Sequence, residues 1–367
     1  MGVRKKGLFK KGLFKKGLCK KIVPKHAKCA WLLAVMMGIL SSQAHAVSTD
    51  DPEDRQNDSR TTGYECTEAP QATPSNATQW LERGLWASHC YAFQARAVAI
   101  DAINVRTLAL SHRIRDGIRQ QVVQYLDGPS VSIERRSPVG QLAWTQSHNG
   151  ELPSPARWAA HLEQFYTVSL EEDARVAGRD AVKLIFEPLD QWRFSHEWWL
   201  DRDTGLLLKH VLIDQQAQII ETFQITQLQS PQKYKGRVWV DSPQVILNTP
   251  WHTTWLPDGF VAQPVTFAGN DVHKRVYSDG LTTVSLFVES LESAETTLLQ
   301  EGVHQLGVSA VAVQHLVTPE GRWQLVAIGE LPIATLQRIV RSITFDVGDE
   351  TQTQESTDDY EALKPEH

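Results

Sequence analysis

The chain has 367 residues, 41% of them apolar, twelve tryptophans and a formal net charge of −6. That length exceeds one ordinary domain and favours two of roughly 100–200 residues. Residues 1–46 hold eleven Lys or Arg and no Asp or Glu, so the remainder sets 26 cations against 43 acids, a net −17, which argues against nucleic acid as a partner.

The first 46 residues stand apart. Residues 5–19 repeat KKGLF-KKGLF-KKGLC, the apolar run CAWLLAVMMGIL follows at 29–40, and SSQAHA ends at Ala46. A basic start, a short apolar core and an A-x-A site make a secretory signal, so export with cleavage near Ala46 is expected. The alternative is an uncleaved anchor or a basic interfacial arm, although the run is short for a membrane span. Cys66 and Cys90 remain beyond this segment. In an oxidising compartment they can pair, tying the N-terminal tail to the first strand for ~3 kcal/mol. The other reading is a buried thiol at Cys90 and a free one in a loose tail.

Residues 47–74 are polar and acidic and are predicted to be a disordered leader. Asn76 caps a helix, with Gln79 at the capping-box position and Trp80, Leu81, Gly84 and Leu85 on the buried face. The pattern turns to strands after Ser88. Strands at 105–114, 118–126 and 131–136 are joined by Asp116-Gly117 and Asp127-Gly128-Pro129, turn sequences that imply an antiparallel meander. A loop with a helix at 155–164 follows. Strands are then expected at 166–170, 174–176, 181–187, 194–200, 206–214 and 218–228, completing a first domain over 75–230. Residues 231–250 read as a linker with one strand. A second domain over 251–345 has strands at 261–268, 272–278, 282–289, 308–316 and 323–328. Pro332 opens its helix, on which Ile333, Leu336, Ile339, Val340 and Ile343 recur at helical spacing. Residues 346–367 form an acidic tail.

The stretch HEWWLDRDTGLLLKHVLID at 196–214 has the look of a metal site but fails as one. Counted from Asp201 as a calcium loop, position 5 is Gly205, position 6 is Leu206 and position 12 is Leu212, so three required residues are absent. His196-Glu197 lacks the second His of a zinc-protease helix. As a hairpin it works: Asp201 and Asp203 can bond turn amides and Gly205 can take a positive φ. Trp198, Leu200, Leu206, Leu208 and Leu212 are expected on one face, and Trp199, Leu207, Val211 and Ile213 on the other. Two apolar faces place one side against helices or a second sheet and the other against a core or cavity. There is no G-x-S-x-G, C-x-x-C, P-loop or G-x-G-x-x-G, and no nucleophile–base pair, so no enzyme, cofactor or metal is expected. The basic residues His112, Arg113, Arg115, Arg119, Arg135 and Arg136 on adjacent strands read either as an anion site, such as for a lipid phosphate, or as a solvated strand face.

The segments SHRIRDGIRQQVVQYLDGPSVSIERR (111–136), RVAGRDAVKLIFEP (175–188) and WWLDRDTGLLLKHVLIDQQAQIIETFQITQLQ (198–229) resemble the first domain of the RseB and MucB family of periplasmic sigma-E regulatory proteins. WLPDGF (255–260), VYSDGLTTVSLFVE (276–289) and AIGELPIATLQRIVRSI (327–343) fit its second domain in order. Three places depart from the family pattern: Tyr91-Ala92-Phe93-Gln94-Ala95 stands where Y-E-G-T-F begins the first strand, Ala217 replaces a turn glycine, and residues 137–160 are diverged.

The resemblance implies a mainly β, α+β protein. Its first domain would be a half-open antiparallel β-barrel plugged by helices, like LolA and LolB, and its second a smaller antiparallel sheet with a helix. It also implies a binding protein that holds the periplasmic part of a membrane-spanning RseA/MucA-like anti-sigma factor, shields it from proteolysis, and lets go on lipid- or lipopolysaccharide-like signals. Tyr277 and Phe287, on a hairpin expected to be exposed, are the candidate anti-sigma contacts. A lipid or lipoprotein carrier without signalling is the alternative, with Phe93, Trp198, Leu206 and Leu208 as cavity candidates. Self-association is left open.

Overall fold

A computed structural model describes residues 63–67, 73–128, 132–135, 153–239, 249–263, 273–293 and 296–345. The expected signal segment, most of the 137–152 loop, residues 240–248 of the expected linker and the acidic tail lie outside the described residues.

The first part of the chain forms one large sheet with two helices. In order these are β1 (Gly63–Glu65), α1 (Ala77–Cys90), β2 (Tyr91–Asp101), β3 (Val105–Arg115), β4 (Ile118–Tyr125), β5 (Ser132–Arg135), α2 (Pro155–Leu162), β6 (Tyr166–Val176), β7 (Arg179–Pro188), β8 (Ser195–Asp201), β9 (Leu207–Ile213), β10 (Ile219–Lys233) and β11 (Arg237–Trp239). The strands run β1-β11-β4-β3-β2-β10-β9-β8-β7-β6, with β5 also on β4. Among the described residues, every pairing in this sheet is antiparallel except the parallel pairing of Trp239 with Ile118. β1 and β6 end the order without pairing to each other, so the sheet is open. β10 continues to Lys233, into the stretch expected as linker.

Local chemistry explains the helices. Asn76 Oδ1 accepts from the Gln79 amide at 2.9 Å, capping α1. The Gln79 side chain in turn accepts from the amide of Ser75, one residue before the cap. Trp80, Leu81, Gly84 and Leu85 are buried as the spacing requires. A Cβ on Gly84 would sit 2.9 Å from the Leu200 side chain, so the glycine lets α1 lie close on β8. With α2 the helix covers a core of Trp80, Leu81, Leu85, Trp158, Leu162, Tyr166, Leu184, Phe186, Trp198 and Leu200. A second cluster, rich in small residues, gathers Ala95, Ala97, Ala99, Leu108, Ala181, Leu208 and Ile225.

The second part builds β12 (Trp251–Thr253), β13 (Val261–Gln263), β14 (His273–Ser278), β15 (Thr283–Ser290), β16 (Gly302–Leu306), β17 (Ser309–Thr318), β18 (Gly321–Gly329), α3 (Ile333–Arg341) and β19 (Ile343–Phe345). Six strands order as β13-β14-β15-β18-β17-β16, β12 pairs with β19, and α3 packs on β17 and β18. Ile343 is not helical as its spacing suggested. Ser342 caps α3 and the chain turns out to pair Ile343 with Thr253, yet the Ile343 side chain still joins Leu336 and Ile339 in the core.

The hairpin at 196–214 corrects the expected division of its faces, for Leu208 joins the cluster of Trp199 rather than that of Trp198, and Leu207 moves the other way. Trp199 pairs with Lys209, but the next ladder step pairs Leu200 with Leu207, a bulge that skips a residue. Leu207 therefore stands opposite Leu200 and packs on the Trp198–Leu200 cluster, where unbroken alternation had placed it on the other face. Asp201 accepts from the Thr204 amide at 3.1 Å and hydroxyl at 2.6 Å, and its other oxygen takes Arg179 at 2.6 Å. Asp203 bonds no turn amide; its exposed carboxylate pairs with Arg179 at 3.2 Å. Gly205 takes φ +81°.

Candidate binding site

Two features could hold another group. One is a cavity of about 150 Å³ lined by Ser88, Phe93, Leu110, His112, Arg119, Gln121, Leu206, Leu207, Phe223 and Ile225. Strand register builds it. His112 stands opposite both Phe93 and Gln121, which places all three on one face of the sheet. The Phe93 and His112 rings meet edge to face at 5.3 Å. Arg119 reaches the Ser88 carbonyl at 3.4 Å. Burial, reinforced by the charge of Arg119, pushes His112 down to about 3, and the same two causes hold His89 well below its ordinary value. The result is an apolar slot with one cation at its rim, of a size that suits a single ring rather than a whole lipid.

The expected site residues divide. Phe93 and Leu206 line this cavity. Trp198 is buried in the helix-covered core and Leu208 in the alanine-rich cluster, so neither lines it. The basic strip is split by the pleat: Arg119 faces with Ile114 and His112, while Arg113 and Arg115 take the opposite face and are exposed. The described residues include no side chain for Arg135, and Arg136 lies outside them. Cys66 and Cys90 form a disulfide with Cα atoms 5.4 Å apart. Cys90 is the last residue of α1 rather than part of the first strand. The bridge packs with Trp86, Ala87, Leu206 and Val238, behind the Leu206 and Phe93 wall of the cavity. Tyr277 and Phe287 were expected on an exposed hairpin; they are only 6% and 9% exposed and belong to two different clusters. They sit on β14 and β15, interior strands of the second sheet rather than a free hairpin.

The second feature is the joint between the domains. The turn at 278–282, between β14 and β15, enters the first domain. Leu281 is fully buried in the first-domain core beside Trp158, Leu162, Tyr166 and Trp198. Asp279 Oδ1 accepts from the amides of Leu281 at 2.9 Å and Thr282 at 2.8 Å. Its Oδ2 accepts from Tyr166 Oη at 2.9 Å and Arg193 Nε at 2.8 Å. Arg193 also donates to Asp190 and to the Asp258 carbonyl, and stacks on Phe165, Tyr166 and Phe260. Below the turn, Thr282 Oγ1 lies 3.3 Å from His196 Nε2, and His196 Nδ1 lies 3.1 Å from His210 Nε2. At the rim, Arg338 sits over Trp192 at 4.9 Å and over Trp255 at 3.9 Å. Gly280 has φ +105°, and a Cβ there would come 2.7 Å from Trp158 Nε1.

Sequence reasoning identified the 278–280 turn but none of its partners. His196 and His210 carried the one available signal: both alternate with the buried Trp198 and Leu212 on adjoining strands. Among the described residues, no group of three or more His, Cys, Asp or Glu is arranged to hold a metal.

The profile of the MucB/RseB N-terminal domain matches residues 76–244 and that of the MucB/RseB C-terminal domain residues 246–344. The chain is 31% identical to the sigma factor AlgU regulatory protein MucB of Pseudomonas aeruginosa, over 75% of this chain and 92% of that protein. It is 28% identical to the sigma-E factor regulatory protein RseB of Haemophilus influenzae, over 74% and 91%. Among solved structures it is similar to MucB in the MucA/MucB complex of Pseudomonas aeruginosa, with TM-score 0.57 and 29% identity over 74% of this chain and 99% of that one. A second MucB structure, in complex with MucA(peri), gives TM-score 0.56 and 30% identity over 74% and 100%. Both domains, in order and over nearly the full length of these relatives, place this chain in the MucB/RseB family.

Proposed function

We propose that this protein is an exported regulator of a sigma-E-type factor that acts by binding the periplasmic part of a membrane-spanning anti-sigma factor of the MucA/RseA kind. One observation carries the reading: the chain is similar to the whole of a MucB chain that was solved with MucA(peri) bound, 30% identical across 100% of it. The basic leader with its A-x-A site at Ala46 supports delivery to the periplasm. Binding would shield the anti-sigma factor from regulated proteolysis, and lipid- or lipopolysaccharide-like ligands would release it.

The test mixes purified protein lacking residues 1–46 with the periplasmic segment of the cognate anti-sigma factor. A stoichiometric complex by calorimetry, and slower cleavage of the segment by its site-1 protease, are expected. No heat and no co-elution at tens of micromolar overturns the reading. A carrier role draws support only from the apolar lining of the cavity at Phe93 and Leu206, which is too small for a whole lipid. Co-purified lipid combined with unaltered sigma-factor output on deletion would favour that second reading.

A further inference from the structure

We propose that the tip of the β2–β3 hairpin is a membrane-docking finger, which seats the protein on a phospholipid bilayer by inserting Ile103 and its apolar neighbours below the headgroups. The proposal stands apart from the anti-sigma partner, because a surface patch of the first domain carries it. Ile100, Ile103, Val105, Leu126 and Ile219 are all exposed, Ile103 by 80% and Val105 by 66%. They are half of the ten large apolar side chains exposed among the described residues, so they form a patch rather than the scatter that any surface shows. Strand register gathers them. Ile100 stands opposite Val105, which places both on one face of the sheet. The Leu126 amide donates to the Thr107 carbonyl at 2.9 Å, so Leu126 follows beside β3. Glu221 of β10 stands opposite Asp101, and Ile219 comes two residues before it, at the same end of the sheet.

The turn is built to hold an isoleucine outward. Asp101 Oδ1 accepts from the amides of Ile103 at 3.0 Å and Asn104 at 2.9 Å, and the Asp101 amide donates to the Asn104 carbonyl at 3.0 Å. These backbone groups carry their partners with them into a medium that offers none. Asp101 Oδ2 takes Arg106 at 2.7 Å, and the Asp101 side chain is 2% exposed. A Cβ on Gly307, in the β16–β17 turn, would lie 3.7 Å from this oxygen, so the second domain helps to close it off. The carboxylate behind Ile103 is thereby neutralised and screened, and the turn residues Ala102, Ile103 and Asn104 carry no charge. These features select the occupant. Five such side chains offer ~500 Å² of apolar surface, short of the ~800 Å² per partner that a stable dimer buries. Attachment to a bilayer has no such threshold, since it grows with whatever apolar area is immersed. At the margin, exposed Asp127 accepts from the Thr107 amide at 2.7 Å, which helps to keep its carboxyl ionised. A negative margin disfavours adsorption to anionic headgroups, so the finger holds by insertion and is insensitive to salt.

The experiment uses the exported form lacking residues 1–46, which keeps every described residue and removes the apolar run at 29–40. With the disulfide intact, an environment-sensitive dye is placed on Ala102→Cys at the tip or on Arg115→Cys at the far end of β3, both exposed positions. Vesicles of phosphatidylethanolamine and phosphatidylglycerol are added at low salt and at ~0.5 M. The dye at 102 should shift to the blue and be quenched by nitroxide-labelled lipid at both salt levels, and the dye at 115 should do neither. Ile103→Asn, at a position exposed enough for the fold to tolerate it, should weaken vesicle partition about tenfold while far-ultraviolet circular dichroism is unchanged. An equal response from the two dyes, none at millimolar lipid, or binding that salt abolishes overturns the proposal. So does partition unmoved by Ile103→Asn, or a dimer that Ile103→Asn dissolves and vesicles do not displace. Anti-sigma binding is measured in lipid-free solution, so failure of one reading leaves the other standing.

Discussion

Arg193 Nε and Asp279 Oδ2 meet at 2.8 Å with neither side chain exposed, one from the loop before β8 and the other from the turn after β14. Removing either partner strands the other charge in the interior. Arg193→Ala or Asp279→Ala should cost ~3–5 kcal/mol, the range for breaking a buried pair from one side. Urea denaturation measures it. A loss under 1 kcal/mol would mean that Asp190 and Tyr166 suffice to satisfy whichever group remains.

Leu281 belongs by sequence to the second domain and by packing to the first. Leu281→Ala should cost ~2–5 kcal/mol by leaving a cavity under Trp158 and Trp198. The telling readout is location. Amide exchange should speed up in α2, β6 and β8 as much as in the second sheet. Loosening confined to β14 and β15 would show that the turn is anchored from its own side only.

How far the sequence disclosed this arrangement depends on the range of the interaction. Asn76 as a cap, the Asp201–Gly205 turn and the burial of Trp80 and Leu85 are decided within a few residues, and local pattern found them. The Leu207 misplacement came from a one-residue slip, which no period-two count registers. Tyr277 and Phe287 lie on a hairpin whose apolar content suggested an exposed binding face; it is interior because β18 and β13 flank it, and pairing order is a property of topology. Arg193 gives the sharpest case. Its partner is 86 residues away, and nothing beside Arg193 in the chain marks that distance.

Ala217 occupies the left-handed region at φ +59° in the turn between β9 and β10. Asp214 shapes that turn by accepting from the amides of Gln216 and Gln218 at 2.9 and 2.8 Å. A Cβ is disfavoured in this conformation by ~1–2 kcal/mol. Ala217→Gly should stabilise the protein by ~1 kcal/mol after its greater unfolded-state freedom is subtracted. A lower denaturation midpoint would show that the alanine side chain makes a contact worth more than the strain.

The Cys66–Cys90 bridge holds β1 on β11 at one end of the large sheet, with the Cys66 amide donating to the Gly236 carbonyl at 3.1 Å. Cys66→Ser/Cys90→Ser should lower stability by ~3 kcal/mol, the amount expected for a loop of this order. Reduction of the unmodified protein should reproduce the loss. Because Leu206 packs on the bridge, the double variant should also increase binding of an apolar dye at the cavity. Unchanged dye binding would separate the bridge from the cavity wall.

Acid should destabilise the folded chain through its buried histidines. Burial is the first cause that keeps His89 and His210 well below the ordinary value and His112 and His196 at about 3. The folded state holds these rings neutral, whereas the unfolded chain protonates them near 6.5. Their contribution is therefore complete above ~6.5 and is lost as pH falls from there towards 3, by up to ~1.4 kcal/mol per pH unit for each independent group. His112 is the one to test, because it lies at the cavity, away from the joint. His112→Gln should flatten the fall in unfolding free energy between pH 6.5 and 5 by ~1.4 kcal/mol per unit relative to the unmodified protein. Parallel dependences in the two proteins would show that water entering the cavity lets His112 charge without leaving the fold, despite the nearby charge of Arg119.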